Sequence, residues 1–334
     1  MKNLGRFLLF SLIPLGVVAC SGSQKEEQPP TSEALSPITI QLSWVHEYSA
    51  APFHVAAQAG YFAEEGIDIT LAEGGFNENG FIDPVQEVLS GNADFAMSDG
   101  ASLIIARANG LPLVAVTSIL QRSPLAVISL EENGIARPQD IIGKRISVAR
   151  GGAETIYTAL LQSQDINLDD VNTRERVEFG VDPLINGDID GLVGWIINEG
   201  VSVQEQGYSP QFILMSDYGV DTYDFVLFTT EAMINDNPEL VQGVVNALLS
   251  GLQDVVDNPD QAIEATLSYN PELVREDQLL RLEATIPLMN VPGKPHGGMD
   301  ATVWEFTHSM LLSQNIIEEE IAVEDIYTLE FLGE

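Results

Sequence analysis

The residues best suited to hold a small molecule fall in four places along the chain. Trp44, His46, Glu47 and Tyr48 crowd one short stretch. Ser98, Asp99 and Gly100 close an apolar run, and Gln121 with Arg122 follow a little later. Gly151, Gly152, Glu154 and Tyr157 make a third group, and Trp195, Asn198 and Glu199 a fourth, with Asp182 just before it. Aromatic faces at a cleft suit a flat heterocycle, because stacking adds to the area buried. Carboxylates and amides such as Glu47, Asp99, Glu154, Asp182, Asn198 and Glu199 accept hydrogen bonds from ring N–H or amino groups, and the carboxylates repel anions. Arg122 and Arg150 are the basic candidates. So small a positive charge disfavours a sulfonate or nitrate, which wants convergent donors. The plainer alternative is that Trp44 and Tyr48 are ordinary core or rim aromatics. Turn residues at strand ends more often face a ligand crevice.

Catalytic and metal-binding sets are missing from the pattern. Cys20 is the single cysteine, so the folded body has no disulfide framework, thiolate metal site or thiol nucleophile. The four histidines, His46, His54, His296 and His308, show no metal-ligand spacing. His46 beside Glu47 could be an acid–base pair, but a hydrogen-bonding contact to a ligand is the better reading. His54 and His308 fall in helical stretches and read as structural. No Gly-x-Ser-x-Gly elbow occurs. Gly151-Gly152 before a helix frees backbone N–H groups but lacks phosphate-loop and dinucleotide spacing. It reads as a binding turn or as a plain left-handed turn. No cofactor is expected.

The elements that must position these residues follow from periodicity. Residues 38–42 alternate apolar with polar as a strand does. An Ala-rich helix then starts with Pro52 in its first turn and ends near Gly60, before a second alternating strand at 67–71. Asp83, Pro84 and Gln86 have the form of a capping box, and the helix they open ends near Gly91. A short buried strand at 94–97 runs into the Ser98–Gly100 turn. Asp182-Pro183 and Asp190 echo this unit, or else a common helix start is used twice. Residues 113–119 and 125–130 are β-rich runs flanking Gln121–Pro124, a first crossing between two lobes. The chain is expected to return to the first lobe near residues 216–225. Helices are expected at 238–257, 259–268, 271–288 and 300–316, with a Gly/Pro-rich loop at 291–298 among them.

Length and charge bound the class. The chain has 334 residues, 45% of them hydrophobic, enough for a large core in two lobes. Its formal net charge of −36 argues against nucleic acid and anionic membrane surfaces as partners of the folded body. That acidity reads as solubility more readily than as an acidic binding surface. At the N-terminus, Lys2 and Arg6 precede an apolar run, residues 7–18, too short to span a bilayer. Val17, Val18 and Ala19 before Cys20 resemble a bacterial lipobox. This implies a signal peptide over 1–19, cleavage, lipidation of Cys20 and a location on the extracytoplasmic face of the cell membrane. Residues 20–36, polar and Pro-rich, read as a disordered tether.

The order L-x-W, a polar and aromatic loop, A-x-F-x-V-A, G-Y-F and E-E-G-I-D-I resembles the opening of ABC-importer solute-binding proteins, in the branch related to thiamin-pyrimidine synthase. The tracts LSWVHEYSAAPF, FIDPVQEVLSGNADF, QRSPLAVISL, VGWIINEG and MSDYGV, the last bringing Tyr218, are most similar to the riboflavin-binding members. Binders of formylaminopyrimidine or hydroxymethylpyrimidine share the opening and the Asn-Glu at 198–199. Glu47–Ala50 departs from the Gln/Phe-rich version expected there. The resemblance implies an α/β, two-lobed periplasmic-binding-protein fold of type II, each lobe a mixed sheet flanked by helices around a shared cleft. Residues 37–123 and 222–334 would form lobe 1, and 124–221 lobe 2. It also implies a monomer that captures an aromatic vitamin or precursor and hands it to permease and ATPase subunits. The related synthase carries a cysteine-rich iron motif and a lysine that meets pyridoxal phosphate. Here only Lys144 and Lys294 follow the tether, so an enzyme is not expected.

Overall fold

The computed structural model describes residues 34–78, 80–177 and 180–333. Cys20, the expected signal peptide and most of the expected tether lie outside them. The chain begins with β1 (Ser36–Gln41), which buries Ile38 and Ile40. After the aromatic loop come α1 (Ala51–Ala59), α2 (Tyr61–Glu64) and β2 (Ile67–Ala72). Gly60 caps α1 in the left-handed region, with φ 87°, a conformation that glycine adopts without penalty. A small hairpin, β3 (Phe76–Asn77) and β4 (Gly80–Phe81), precedes α3 (Pro84–Leu89), β5 (Phe95–Ser98), α4 (Gly100–Ala108) and β6 (Leu113–Ser118).

A second series follows: β7 (Leu125–Leu130), β8 (Arg145–Val148), α5 (Gly152–Ser163), β9 (Asn172–Glu175), α6 (Asp182–Ile185), β10 (Gly191–Trp195), α7 (Val201–Glu205) and β11 (Pro210–Leu214). Next come β12 (Val226–Thr230) and five helices: α8 (Glu231–Asp236), α9 (Pro238–Asp257), α10 (Pro259–Tyr269), α11 (Arg275–Met289) and α12 (Ala301–Ser313). The expected helix at 271 starts later, at Arg275. Asn270 instead holds a turn, its side chain accepting from the Glu272 N–H and its carbonyl from the Leu273 N–H.

Two five-stranded mixed sheets result, in the orders β2-β1-β5-β12-β6 and β11-β7-β10-β8-β9. Their pairing patterns match. In the first, β1 is parallel to β2 and β5, while β12 is antiparallel to β5 and β6. In the second, β8 is parallel to β9 and β10, while β7 is antiparallel to β10 and β11. Each sheet is thus completed by a strand that arrives from the other one, β7 after β6 and β12 after β11. Two crossings lie side by side, and the Ser123 N–H donates to Asp221 Oδ1 at 3.0 Å between them.

Of the expected echo, the aspartate before the strand recurs in structure and the Asp-Pro helix start does not. Asp94 precedes β5 and clamps β1: its N–H donates to the Thr39 carbonyl at 2.9 Å, and its Oδ2 accepts the Thr39 N–H at 2.8 Å. Asp190 does the same between β10 and β8, with the Arg145 carbonyl at 2.9 Å and the Arg145 N–H at 2.8 Å. The helix starts differ, because Asp83 caps α3 through the Val85 N–H whereas Asp182 sits inside the first turn of α6.

Asp190 also takes the Arg145 guanidinium, Nη2 to Oδ1 at 2.6 Å, which holds its carboxyl down at about 2. A group depressed in this way stabilises the fold above the ordinary carboxylate range, and the contribution is lost as pH falls towards 2. Asp190→Ala should therefore cost on the order of 1.5–3 kcal/mol near neutral pH, the usual value of hydrogen bonds to a charged group. Exposed Asp169→Ala should stay within about 0.5 kcal/mol. Urea unfolding of the two variants beside the wild type checks this.

Candidate functional site

A cavity of about 430 Å³ opens between the two sheets, at the ends of their strands. This is where open α/β sheets place ligands, since the loops there are free of packing duties. From the side of the first sheet come Ser43, Trp44, Glu47, Tyr48 and Ser49, with Phe81 of β4 and Phe225 at the second crossing. From the side of the second come Leu125, Ala149, Ala153, Arg176, Val193, Gly194, Trp195, Asn198 and Glu199. The walls are mostly apolar with a few polar groups, the usual make-up of a small-molecule site.

Each aromatic wall has a defined origin. The Trp44 ring meets Phe76 edge-on at 5.9 Å, and Phe76 meets Phe81 at 5.4 Å, so the hairpin forms an exposed rim. Trp195 ends β10 and meets Phe225 edge-on at 5.5 Å across the sheets. Phe225 has φ 57°, a left-handed backbone that costs a bulky residue strain. That conformation sets its ring against Trp195 at the crossing.

Most of the polar groups are fastened at the turn after β10. After β10 the chain makes a π-helical turn, Ile196–Gly200, a geometry found often at functional sites. Glu199 fixes it. Its Oε2 accepts the Trp195 N–H at 2.9 Å and its Oε1 meets Arg176 Nη2 at 3.0 Å, with the arginine side chain only 6% exposed. A Cβ on Gly194 would come within 2.8 Å of that carboxylate, so glycine is what allows the close approach. Asn198 Oδ1 accepts the Tyr48 hydroxyl at 2.6 Å, and its backbone carbonyl accepts Arg281 Nη1 of α11 at 3.1 Å. Gln278 of the same helix accepts the Tyr48 N–H at 2.8 Å. Glu47 is bonded by the Ser49 hydroxyl at 3.3 Å. Burial, foremost, pushes its carboxyl up to about 7; Asp277 adds to the rise while Ser49 and Arg281 oppose it.

Of the residues singled out in the sequence, Trp44, Glu47, Tyr48, Trp195, Asn198 and Glu199 line the cavity. The others lie elsewhere, each for a visible reason. His46 faces the other way, its Nδ1 3.0 Å from His54 Nε2, and its ring packs on Tyr269. Ser98 ends β5 in the ladder with Val226. Asp99 caps α4, its Oδ1 accepting the Ser102 N–H at 2.8 Å and its Oδ2 the Ser102 hydroxyl at 2.7 Å. Gln121 is buried against the Ser118 carbonyl, and Arg122 is drawn to Asp217 at 2.5 Å. Gly151 and Gly152 form the turn into α5, with Gly151 at φ 96°; the alanines on either side, Ala149 and Ala153, line the cavity in their place. Glu154 pairs with Arg150 on the surface, and Arg150 also with Glu175. Tyr157 is buried in the core of the second sheet, against which Tyr218 packs. Asp182 accepts from Gln206 at 3.3 Å.

The basic group at the cavity is thus Arg176, not Arg122 or Arg150. A lone arginine at the end of an edge strand gives no periodic signal. Phe225 lay within the return segment read at 216–225, and only its strained backbone marks it out. Among the described residues no group of three or more His, Cys, Asp and Glu could hold a metal ion.

Behind the aromatic loop, His54 is fully buried, with Nδ1 3.1 Å from Thr266 Oγ1 and its ring stacked on Tyr269 at 4.4 Å. Burial, helped by the His46 ring, lowers it to about 3. The unfolded chain takes up a proton near 6.5 that the folded chain refuses. Stability is therefore full above that value and falls as pH drops from there towards 3, by up to about 1.4 kcal/mol per pH unit. His54→Gln should flatten this slope in urea titrations run across the interval.

Residues 48–262 match the family model described as NMT1/THI5 like. Over 307 residues the chain is 31% identical to the formylaminopyrimidine-binding protein of Halalkalibacterium halodurans, covering 89% of this chain and 91% of that one. It is 27% identical to the riboflavin-binding protein RibY of Chloroflexus aurantiacus, covering 99% of both. Synthases of 4-amino-5-hydroxymethyl-2-methylpyrimidine phosphate are further relatives, at 25% identity or less. Among solved structures, the periplasmic aliphatic sulphonate binding protein SsuA of Escherichia coli superposes with a TM-score of 0.69 at 12% identity, covering 89% of this chain and 99% of that one. That likeness carries the fold alone. With two mixed sheets flanked by helices, a cavity between their strand ends and a family match over most of its length, the chain is a member of the NMT1/THI5-like family with the periplasmic-binding-protein fold.

Proposed function

We propose that this protein is the solute-binding component of an ABC importer and that it closes on an aromatic heterocyclic vitamin or vitamin precursor. Riboflavin is the ligand put first, and a formylaminopyrimidine or hydroxymethylpyrimidine second. The observation that carries the reading is the pair Trp44 and Trp195, set by different sheets on one cavity with Tyr48 and Phe225 beside them. A planar ring there gains stacking area from both sides. The names of the two binding-protein relatives support the class of ligand and pull in both directions within it. Two lobes joined at the crossings near Ser123 and Asp221 would hinge to admit it, as periplasmic binding proteins do.

Catalysis is not part of the proposal. Lys144 is held at the Asn133 carbonyl at 3.0 Å and Lys294 pairs with Asp300 at 2.8 Å, and neither lines the cavity. Delivery would be to permease and ATPase subunits at the membrane, with Cys20 carrying the lipid anchor.

Calorimetric titration of riboflavin, formylaminopyrimidine and hydroxymethylpyrimidine, followed also by tryptophan fluorescence, tests the ligand. Trp44→Ala and Trp195→Ala should each cost on the order of 1–3 kcal/mol with the cognate ligand, by analogy with base–aromatic stacking. That is roughly ten- to a hundredfold in affinity. Variants that stay folded and bind as the wild type does would sink the cavity assignment. For the anchor, Cys20→Ser should release the protein from membranes or leave it unprocessed. Wild-type protein found soluble and unlipidated in a host that modifies lipoproteins would refute it.

A further inference from the structure

The cavity is lined by two carboxyl groups that are held in opposite ways. Both oxygens of Glu199 are occupied, by the Trp195 N–H and by Arg176. The Glu199 charge is thereby neutralised inside the protein. Glu47 has the Ser49 hydroxyl on one oxygen, and among the described residues no arginine or lysine lies within ion-pair distance of it. The cation on its side, Arg281, is already committed to Asp277 at 2.8 Å, Glu205 at 3.3 Å and the Asn198 carbonyl at 3.1 Å. Glu47 therefore stands in a largely apolar wall with hydrogen-bonding capacity to spare. An isolated carboxylate in such a place is costly.

The geometry points to Glu47 as the group that selects the ligand, meeting it as a neutral carboxylic acid. A neutral carboxyl offers one O–H donor beside one carbonyl acceptor. Its complement is a ring edge that carries a donor next to an acceptor. That edge is an imide or amide N–H beside C=O, or an amino group beside an unprotonated ring nitrogen. A ligand edge with acceptors alone, or donors alone, meets only half of this pair and leaves the other oxygen without a partner. This inference rests on the reading of the cavity as a heterocycle site and names the edge that the site reads.

The groups facing Glu47 agree with this assignment. From α11 come Asp277, which opposes ionisation, and Arg281, which favours it but is shared. From the π-helical turn come Asn198, occupied by Tyr48, and Glu199, occupied by Arg176. From its own loop come Ser49 and the Tyr48 hydroxyl, while the neighbouring His46 ring is turned to His54 and Tyr269. Burial outweighs the help of Ser49 and Arg281 and pushes the carboxyl up to about 7. Below that value binding needs no proton from solvent, and above it binding takes one up.

Titration of riboflavin and of 4-amino-5-hydroxymethyl-2-methylpyrimidine by calorimetry between about pH 5.5 and 8.5 tests the inference, in two buffers of different ionisation enthalpy. For the wild type, affinity should fall by up to about tenfold per pH unit above pH 7, with up to one proton taken up. Glu47→Gln, whose amide keeps a donor and an acceptor at every pH, should hold the low-pH affinity within about threefold across the range. Glu47→Ala should lose about tenfold or more at pH 6. A flat wild-type profile without proton uptake, or a Gln variant as weak as the Ala variant, overturns the inference.

A ligand-free measurement separates this from failure of the ligand reading. Infrared difference spectra should show a protonated carboxyl band in the wild type at pH 6 that is absent from Glu47→Gln. If that band titrates near 7 and neither heterocycle binds, the assignment of the cavity to heterocycles fails and the state of Glu47 stands. If the band is missing, the neutral acid is refuted whatever binds.

Discussion

Asn198 is the point on which the site depends. Its side-chain carbonyl accepts the Tyr48 hydroxyl and its backbone carbonyl accepts Arg281. One residue of the second sheet's turn is thus tied to the aromatic loop and to α11. Both bonds join partly buried groups, where the low dielectric strengthens a satisfied contact and makes a broken one costly. The turn that presents Asn198 is wider than an α-helical one. It is held by the Glu199 carboxylate, and two glycines make room for it. A Cβ on Gly194 would strike that carboxylate, and one on Gly200 would come within 2.9 Å of the Phe212 ring.

Charge is handled locally in a chain that is strongly acidic overall. A formal net charge of −36 says a great deal about solubility and little about what the cavity sees. There the balance is set by Glu199 with Arg176, and by Glu47 facing an arginine already shared with Asp277 and Glu205. A buried pair of this sort shows organisation more than stability, because desolvation offsets much of its attraction. Its effect here is to leave one carboxyl in the cavity wall with capacity to spare.

The two sheets solve the same packing problem twice. Each pairs two parallel strands through an aspartate that returns the backbone of its neighbour, Asp94 on Thr39 and Asp190 on Arg145. Each then borrows a strand from the far side of the crossings. Parallel strands bring their carboxyl ends to one edge, so both sheets offer loops to the same space. The cavity follows from this topology before any side chain is chosen.

Much of this was legible along the chain. The strand-loop-helix opening, the Asp-Pro helix start at 83–84, the β-rich runs around 121–124 and the long terminal helices follow from periodicity and from proline and glycine punctuation, which act over a few residues. The aromatic and amide residues at the strand ends, Trp44, Tyr48, Trp195 and Asn198, were legible for the same reason. Side-chain direction was not. Glu47 faces the cavity and its neighbour His46 faces His54. Asp99 and Arg122 have the right chemistry in the right region, but nearer partners claim them: the Ser102 N–H for one and Asp217 for the other. Arg176 and Phe225 carry no local pattern at all. The first is placed by its ion pair with Glu199 and the second by a strained backbone at a crossing between sheets. The sequence by itself determined which elements form and roughly which stretches reach the cavity. Which groups face the cavity, and which carboxyl there keeps hydrogen-bonding capacity to spare, were decided by contacts between residues far apart in the chain.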